Sequence, residues 1–96
     1  MKTNVTNMKL AKNEDANYLA RCSIVIEDAI AINDIWIVDT KKGVRVNFPQ
    51  RPYEKDGEIE YASIVAPITK EAREELTSLI LKAYDEAVNA KSNQVD

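Results

Sequence analysis

The sequence contains no histidine and a single cysteine, Cys22, among its 96 residues. The lack of histidine excludes catalytic triads with an imidazole base and the common zinc sites, and one cysteine excludes an internal disulfide. Cys22 alternates in phase with apolar residues of a β-type run, which predicts a buried and unreactive thiol. We therefore expect no catalysis by an imidazole or a thiol and no metal site.

Carboxylates alone can support catalysis, and two pairs of adjacent acidic residues are present, Glu27 with Asp28 and Glu74 with Glu75. Adjacent side chains diverge on strands and on helices, so neither pair can converge on one substrate atom. Both pairs are typical of a solvated face. We expect no catalytic residue and no small-molecule substrate.

The sequence also lacks an apolar run long enough to span a membrane, and its N-terminus lacks one that could form the core of a signal peptide. We therefore expect a cytoplasmic protein without a membrane partner. With 45% hydrophobic and 30% charged residues, the composition is typical of a soluble globular protein. The length predicts one domain over residues 1–96, with residues 1–3 and 91–96 frayed.

Short β-type runs occupy the first two thirds of the chain, and their short links favour an antiparallel meander. The alternation of apolar and polar residues shifts by one position at Asn33 and Asp34, which predicts a β-bulge or bend there. Gly43 and the Asp56–Gly57 pair predict turns. The predicted strands cover residues 5–11, 18–26, 30–38, 44–48 and 58–66.

A single helix is predicted from the cap residue Thr69 to about residue 90. Its apolar stripe comprises Ala72, Leu76, Leu79, Ile80, Ala83, Tyr84, Ala87 and Val88. Leu81 lies off this stripe and is predicted to be a surface residue. The predicted fold class is α+β, an antiparallel meander of four to five strands with one C-terminal α-helix packed on one face. The other face and the edges stay open, which favours a homodimer over a monomer with a polar outer face.

Positive charge is concentrated in residues 41–55 of a chain whose net charge is −3. The five basic residues there are Lys41, Lys42, Arg45, Arg51 and Lys55, against one acid, Glu54. This distribution is typical of a nucleic-acid contact surface on an acidic protein. The alternative is that these charges only keep a sheet edge soluble.

The segment around Arg51 is predicted to be a stiff loop. Pro49 and Pro52 fix their own φ angles, and the residue before a proline is forced into an extended conformation. A preorganised arginine loses less entropy when it binds a phosphate through both guanidinium nitrogens. Tyr53 follows Pro52 and can stack on an unpaired base. We therefore expect Arg51 to be the main contact to nucleic acid.

Ordered motifs along the chain resemble the stage V sporulation protein G family, SpoVG, also called septation protein. The motifs are "IEDAIAINDIWIVD", "GVRVNFP", "DGE", "API" and "REELTSLILKAY", and the match covers Ile24 to about Tyr84. The sequence has Trp36 and Ala66 at two positions where the family has basic side chains, an arginine and a histidine.

The resemblance implies a small bacterial cytoplasmic homodimer with a mainly antiparallel sheet and a C-terminal helix. It also implies a regulator that binds DNA and RNA, with no cofactor, linked to sporulation and to septation in cell division. The alternative is a dimeric protein–protein adaptor without direct nucleic-acid contact. Trp36 supports that alternative, because an exposed tryptophan is a typical interface anchor; burial of Trp36 is the other interpretation.

Overall fold

The computed structural model describes residues 1–12 and 16–92 and contains six strands followed by one helix. The strands are β1 (Thr3–Leu10), β2 (Ala20–Ile26), β3 (Ile30–Thr40), β4 (Gly43–Asn47), β5 (Gln50–Lys55) and β6 (Glu58–Ser63), and the helix is α1 (Lys70–Ser92). Strands β1 to β4 form an antiparallel sheet in sequence order, and β5 pairs with β6 in a separate antiparallel hairpin. The predicted α+β class, with one C-terminal helix on an antiparallel sheet, is confirmed.

The core lies between one face of the four-stranded sheet and α1. Its fully buried side chains alternate along β2 and β3 and meet the helix at Leu76 and Ile80. The sheet residues of this cluster are Ala20, Cys22, Ile24, Ile35 and Ile37. Because strand side chains alternate between faces, the same strands present their other residues away from α1.

Two β-bulges flank the middle of β2. Asn33 and Asp34 together oppose Ser23, and Asp34 has a positive φ of 61°. The predicted bulge at these residues is therefore confirmed. A second bulge, which the sequence pattern did not predict, places Asn7 and Met8 opposite a single residue of β2. Each bulge restores the register that keeps apolar side chains on the α1 side.

The start of α1 follows the predicted capping pattern. The backbone N–H of Ala72 donates a hydrogen bond of 3.1 Å to the hydroxyl of Thr69, and Glu71 lies in the first turn. The hydroxyl satisfies one of the backbone donors that a helix start leaves open, and the carboxylate suits the positive end of the helix dipole. Among the described residues, no helix combines the length and the apolar character of a membrane span.

The stretch around Arg51 is strand β5, so the prediction of a loop there is wrong. Asp56 and Gly57 both have positive φ, 53° and 81°, and connect β5 to β6 through a two-residue turn. Turns of this kind match the twist of paired strands, and an edge strand tolerates Pro52 because only one side of it is paired. We call the unit β5–turn–β6 the arm.

Two further predictions need correction. Leu81 is half-buried and packs against the core cluster rather than lying on the surface, because the sheet covers a wider face of α1 than the apolar stripe defines. Residues 1–3 are held rather than frayed. The backbone N–H of Lys2 donates to Glu27 Oε1, its ammonium bonds Asp28, and β1 begins at Thr3. Residues 93–96 of the predicted C-terminal fray lie outside the described residues.

Replacing Leu76 with alanine should lower the free energy of unfolding by about 2–5 kcal/mol, because the truncation leaves a cavity between α1 and the sheet. Urea denaturation would measure the loss. Leu81→Ala should cost about 1 kcal/mol, since its side chain is only half-buried. Exposed Lys82 on the same helix is the control, and Lys82→Ala should change stability by less than about 0.5 kcal/mol. A Leu76→Ala loss no larger than that of the control would contradict this description of the core.

Candidate nucleic-acid interface

The six residues predicted to contact nucleic acid lie in three places. Lys41 and Lys42 form the exposed turn between β3 and β4, and Arg45 lies on β4. The remaining three, Arg51, Tyr53 and Lys55, alternate along one face of β5 in the arm. The structure therefore divides the predicted basic segment among the turn at the end of the sheet, strand β4 and the arm.

The lysine turn has a defined backbone. The hydroxyl of Thr40 donates to the carbonyl of Gly43 at 2.8 Å and accepts the N–H of Lys42 at 3.2 Å. Gly43 has φ of 110°, a conformation that other residues rarely adopt. Both lysine side chains are exposed at one end of the sheet.

On the arm, acidic residues of β6 lie on the same face as the predicted basic residues of β5. Lys55 pairs in register with Glu58, and Tyr53 pairs with Glu60. The Tyr53 hydroxyl donates a 2.7 Å hydrogen bond to Glu60 Oε2, and this bond, more than burial, raises the pKa of Tyr53. Arg51 pairs in register with Ala62 rather than with an acid. Counting charge along residues 41–55 missed both glutamates, because they are brought to this face only by the hairpin.

A second group of basic residues lies on the sheet face away from α1, which we call the outer face. Three register pairs define it: Lys9 with Arg21, Arg21 with Trp36, and Val38 with Arg45. These side chains alternate with the buried residues of the same strands and therefore point away from α1. Lys9, Arg21 and Arg45 are all exposed. Asp34, at the bulge of β3, is the acidic residue beside them. The outer face therefore carries an excess of positive charge on an acidic chain.

Lys9 and Arg21 are direct cross-strand partners, an arrangement that costs stability because like charges face each other. They line a hollow of about 270 Å³ above the two bulges, together with the hydroxyl-bearing Ser23. The Ser23 hydroxyl donates to Asn33 Oδ1 at 2.8 Å, which fixes the floor of the hollow. An anion bound there would offset the repulsion between the two cations.

Trp36 lies at the centre of the outer face and is half-buried, so neither the fully exposed nor the buried interpretation is correct. The guanidinium carbon of Arg21 is 5.6 Å from the ring centroid, a cation–π contact. Tyr18 meets the indole edge to face, with centroids 4.8 Å apart and an interplanar angle of 86°. Towards β4, Trp36 and Val38 line a hollow of about 490 Å³ that reaches the base of the arm at Pro49. Trp36 is therefore held in place by its neighbours while still bordering open space.

Sequence reasoning missed Lys9 and Arg21 because they are far from residues 41–55 in the chain. The alternation of apolar residues in each strand does indicate that both side chains point away from the core. What places them beside Trp36 and Arg45 is the strand order and the register across the two bulges. Neither can be read from local alternation when bulges interrupt it.

Cys22 is fully buried in the core, as predicted, and burial raises the pKa of its thiol from the ordinary value of 9.0 to about 11. The neutral thiol is therefore the form present at physiological pH. The part of the chain that the structure describes contains no group of three or more His, Cys, Asp or Glu side chains that could hold a metal ion.

Cys22 should resist a disulfide-exchange reagent at pH 8 in the folded protein and react at once in denaturant, because only the exposed thiolate is nucleophilic. The raised pKa also predicts a pH effect. Stability that depends on the neutral thiol is present below about pH 9 and is lost as the pH rises through about 11. Absorbance of the released thiol measures the first effect, and thermal melting between pH 8 and 11 measures the second. Complete labelling of the folded protein within seconds would show that the thiol is accessible.

Comparison with known proteins gives one consistent family. A family model described as SpoVG matches residues 1–86. The chain is 31% identical over 85 residues to a protein of Lachnospira eligens, covering 88% of this chain and 93% of the relative. It is 32% identical over 85 residues to one of Heliobacterium modesticaldum, covering 88% and 92%. For a Staphylococcus aureus relative, identity is 31% over 83 residues, covering 85% and 80%. All three relatives carry the name septation protein SpoVG.

Proposed function

Because this chain belongs to the SpoVG family, we propose that it is a bacterial regulatory protein that binds DNA and RNA as a homodimer and catalyses no reaction. The name of its relatives links the proposal to septation, and the family resemblance adds sporulation. The proposed location is the cytoplasm, where nucleic acid is accessible. We place the main nucleic-acid contact on the outer face.

The observation that carries this proposal is the facing pair Lys9 and Arg21 beside Trp36. Two cations that face each other across strands lower stability, and Asp34, which lines the same hollow, is the acidic residue beside them. A phosphate between the two side chains would convert that repulsion into two charge-assisted hydrogen bonds. The hollow above the bulges is open to such a group.

The shape of the outer face favours unpaired nucleotides. An open four-stranded sheet is too broad to enter a duplex groove, whereas aromatic residues on such a sheet can stack splayed bases. Trp36 borders an open hollow and supplies an aromatic ring near the basic side chains. A base could stack on Trp36 while the neighbouring phosphates bind Arg21 and Arg45, which would use both the aromatic ring and the basic side chains. We therefore propose single-stranded DNA or RNA as the preferred ligand.

The charge balance of the chain sets the expected strength of binding. A net charge of −3 repels phosphates from most of the surface, so binding should be weak and should fall steeply as salt rises. A dimer presents two outer faces and gains affinity through effective concentration.

Arg21→Gln and Arg45→Gln should each weaken binding to a labelled single-stranded oligonucleotide several-fold. Each should also reduce the log–log salt slope by about 0.7 for every phosphate that the variant no longer neutralises. Fluorescence anisotropy at two salt concentrations measures both quantities. Lys82→Gln is the matched control, because it removes one exposed positive charge from α1. If all three variants bind as the unmodified protein does, the outer face is not the interface.

The arm gives a separate prediction. If Arg51 binds a phosphate through its guanidinium fork, Arg51→Ala should weaken binding more than Lys41→Ala, although each removes one positive charge. Arg51→Lys should restore only part of the affinity, because lysine lacks the fork. The same titrations measure this, and circular dichroism checks that the arm remains folded. Equal affinities for Arg51→Ala and the unmodified protein would leave Arg51 as a solubilising charge.

The adaptor alternative is favoured by one observation, the exposure of apolar side chains on the arm, where Ile59 and Tyr61 are each 63% exposed. Exposed apolar residues of this size are typical of a protein contact. If the unmodified protein binds neither DNA nor RNA at low salt, the adaptor becomes the better proposal.

A further inference from the structure

The two faces of the arm differ in character. Register pairs place Pro52 beside Tyr61, and Glu54 beside Ile59, on the face opposite to Arg51 and Tyr53. We call this set the apolar arm face. Both Ile59 and Tyr61 are 63% exposed, so no other part of the described chain covers them.

Such an arm is poorly supported by its own chain. An isolated two-stranded hairpin is only marginally stable in water and needs packing against a further surface. The arm pairs with no strand of the four-stranded sheet. Its two edges also differ, because Pro52 lacks an N–H and blocks pairing along β5, whereas β6 contains no proline. The arm therefore offers one apolar face and one free edge, that of β6.

A groove of matching character begins at the base of the arm, where Gln50 and Ser63 contribute to its lining. It runs along the free edge of β4, between that strand and the first turns of α1, with a volume of about 640 Å³. Val46, Phe48 and Val65 contribute apolar walls. β4 is an edge strand, so its outer backbone groups have no ladder partner in this sheet. The groove can accept both a strand edge and apolar side chains.

The charges of the arm and the groove are complementary. Glu54 is the charged residue of the apolar arm face. The groove is lined by Lys42, Arg45 and Arg73 against one acid, Glu74. A carboxylate entering with the apolar arm face therefore meets an excess of positive charge.

We propose that the arm of one copy lies in the β4 groove of a second copy, with β6 along β4, and that the second arm returns the contact. This proposal rests on the homodimer proposed above and names its surface. A reciprocal exchange satisfies the free β4 edge and the apolar arm face of both copies at once, as a closed two-fold assembly requires. The outer face reaches this contact only at β4, where Arg45 and Asn47 border the groove.

Charge exchange between Glu54 and Arg73 tests the contact. Light scattering should give the unmodified protein a mass of twice 10.8 kDa. Glu54→Arg places two arginines together at each contact, and Arg73→Glu places two glutamates together. Each variant alone should raise the dimer dissociation constant about tenfold or more. An equimolar mixture of the two should recover it, because each contact then joins one arginine to one glutamate. Recovery in the mixture is specific to a contact between copies.

The apolar component is tested with matched isoleucines. Ile59→Lys should also dissociate the dimer, whereas Ile68→Lys should leave it intact, because Ile68 is 93% exposed and lies outside the arm and the groove. Circular dichroism confirms that each variant is folded.

The outcomes separate the proposals. A monomeric unmodified protein at micromolar concentration overturns both the arm exchange and the homodimer. A dimer that Glu54→Arg and Ile59→Lys leave intact overturns only the arm exchange. Nucleic-acid binding is measured independently of both, through Arg21.

Discussion

The packing of one helix on one face of a four-stranded sheet is the constraint on which the rest of this structure depends. Leu76 and Ile80 of α1 meet the buried residues of β2 and β3, and this interface forms the buried core of the described chain. A single helix can cover only one face of a sheet. The opposite face, the β4 edge and the arm are therefore left uncovered in one copy of the chain, and each becomes available to a partner.

The bulges connect this core to the proposed binding surface. Without the extra residues at Asn7 and Asp34, the apolar phase of β1 and β3 would be reversed beyond each bulge, and buried side chains such as Ile35 and Ile37 would turn away from α1. The same local distortion opens the hollow on the outer face, and the hydrogen bond from Ser23 to Asn33 closes its floor. The two bulges that maintain the hydrophobic core thus also shape the site beside Lys9 and Arg21.

The two proposed contacts use adjoining surfaces that meet at Arg45 and differ in character, and this difference has a physical advantage. Nucleic acid would meet the outer face through cations and an aromatic ring, whereas a second copy would meet the arm and the groove through apolar side chains and one opposite charge. On a chain of net charge −3, a single basic face binds phosphates weakly. Joining two such faces in one assembly raises affinity without further positive charge.

The sequence by itself determined the strands of the main sheet, the helix and most of their inward residues. Alternation identified the strands of the main sheet, the slip at Asn33 and Asp34 located a bulge, and Thr69 marked the start of the helix, because each of these signals is local. The family motifs were recognisable for the same reason, since they keep their order and spacing.

Only the tertiary structure decided which charges lie together. Lys9 and Arg21 are brought beside Trp36 by strand order, and the turn at Asp56 and Gly57 brings Glu58 and Glu60 onto the predicted basic face. The prolines of residues 49–52 suggested a loop, but an unpaired strand edge tolerates Pro52. Electrostatic surfaces depend on distances across strands, and distances across strands are set by register, which a linear count of charge does not contain.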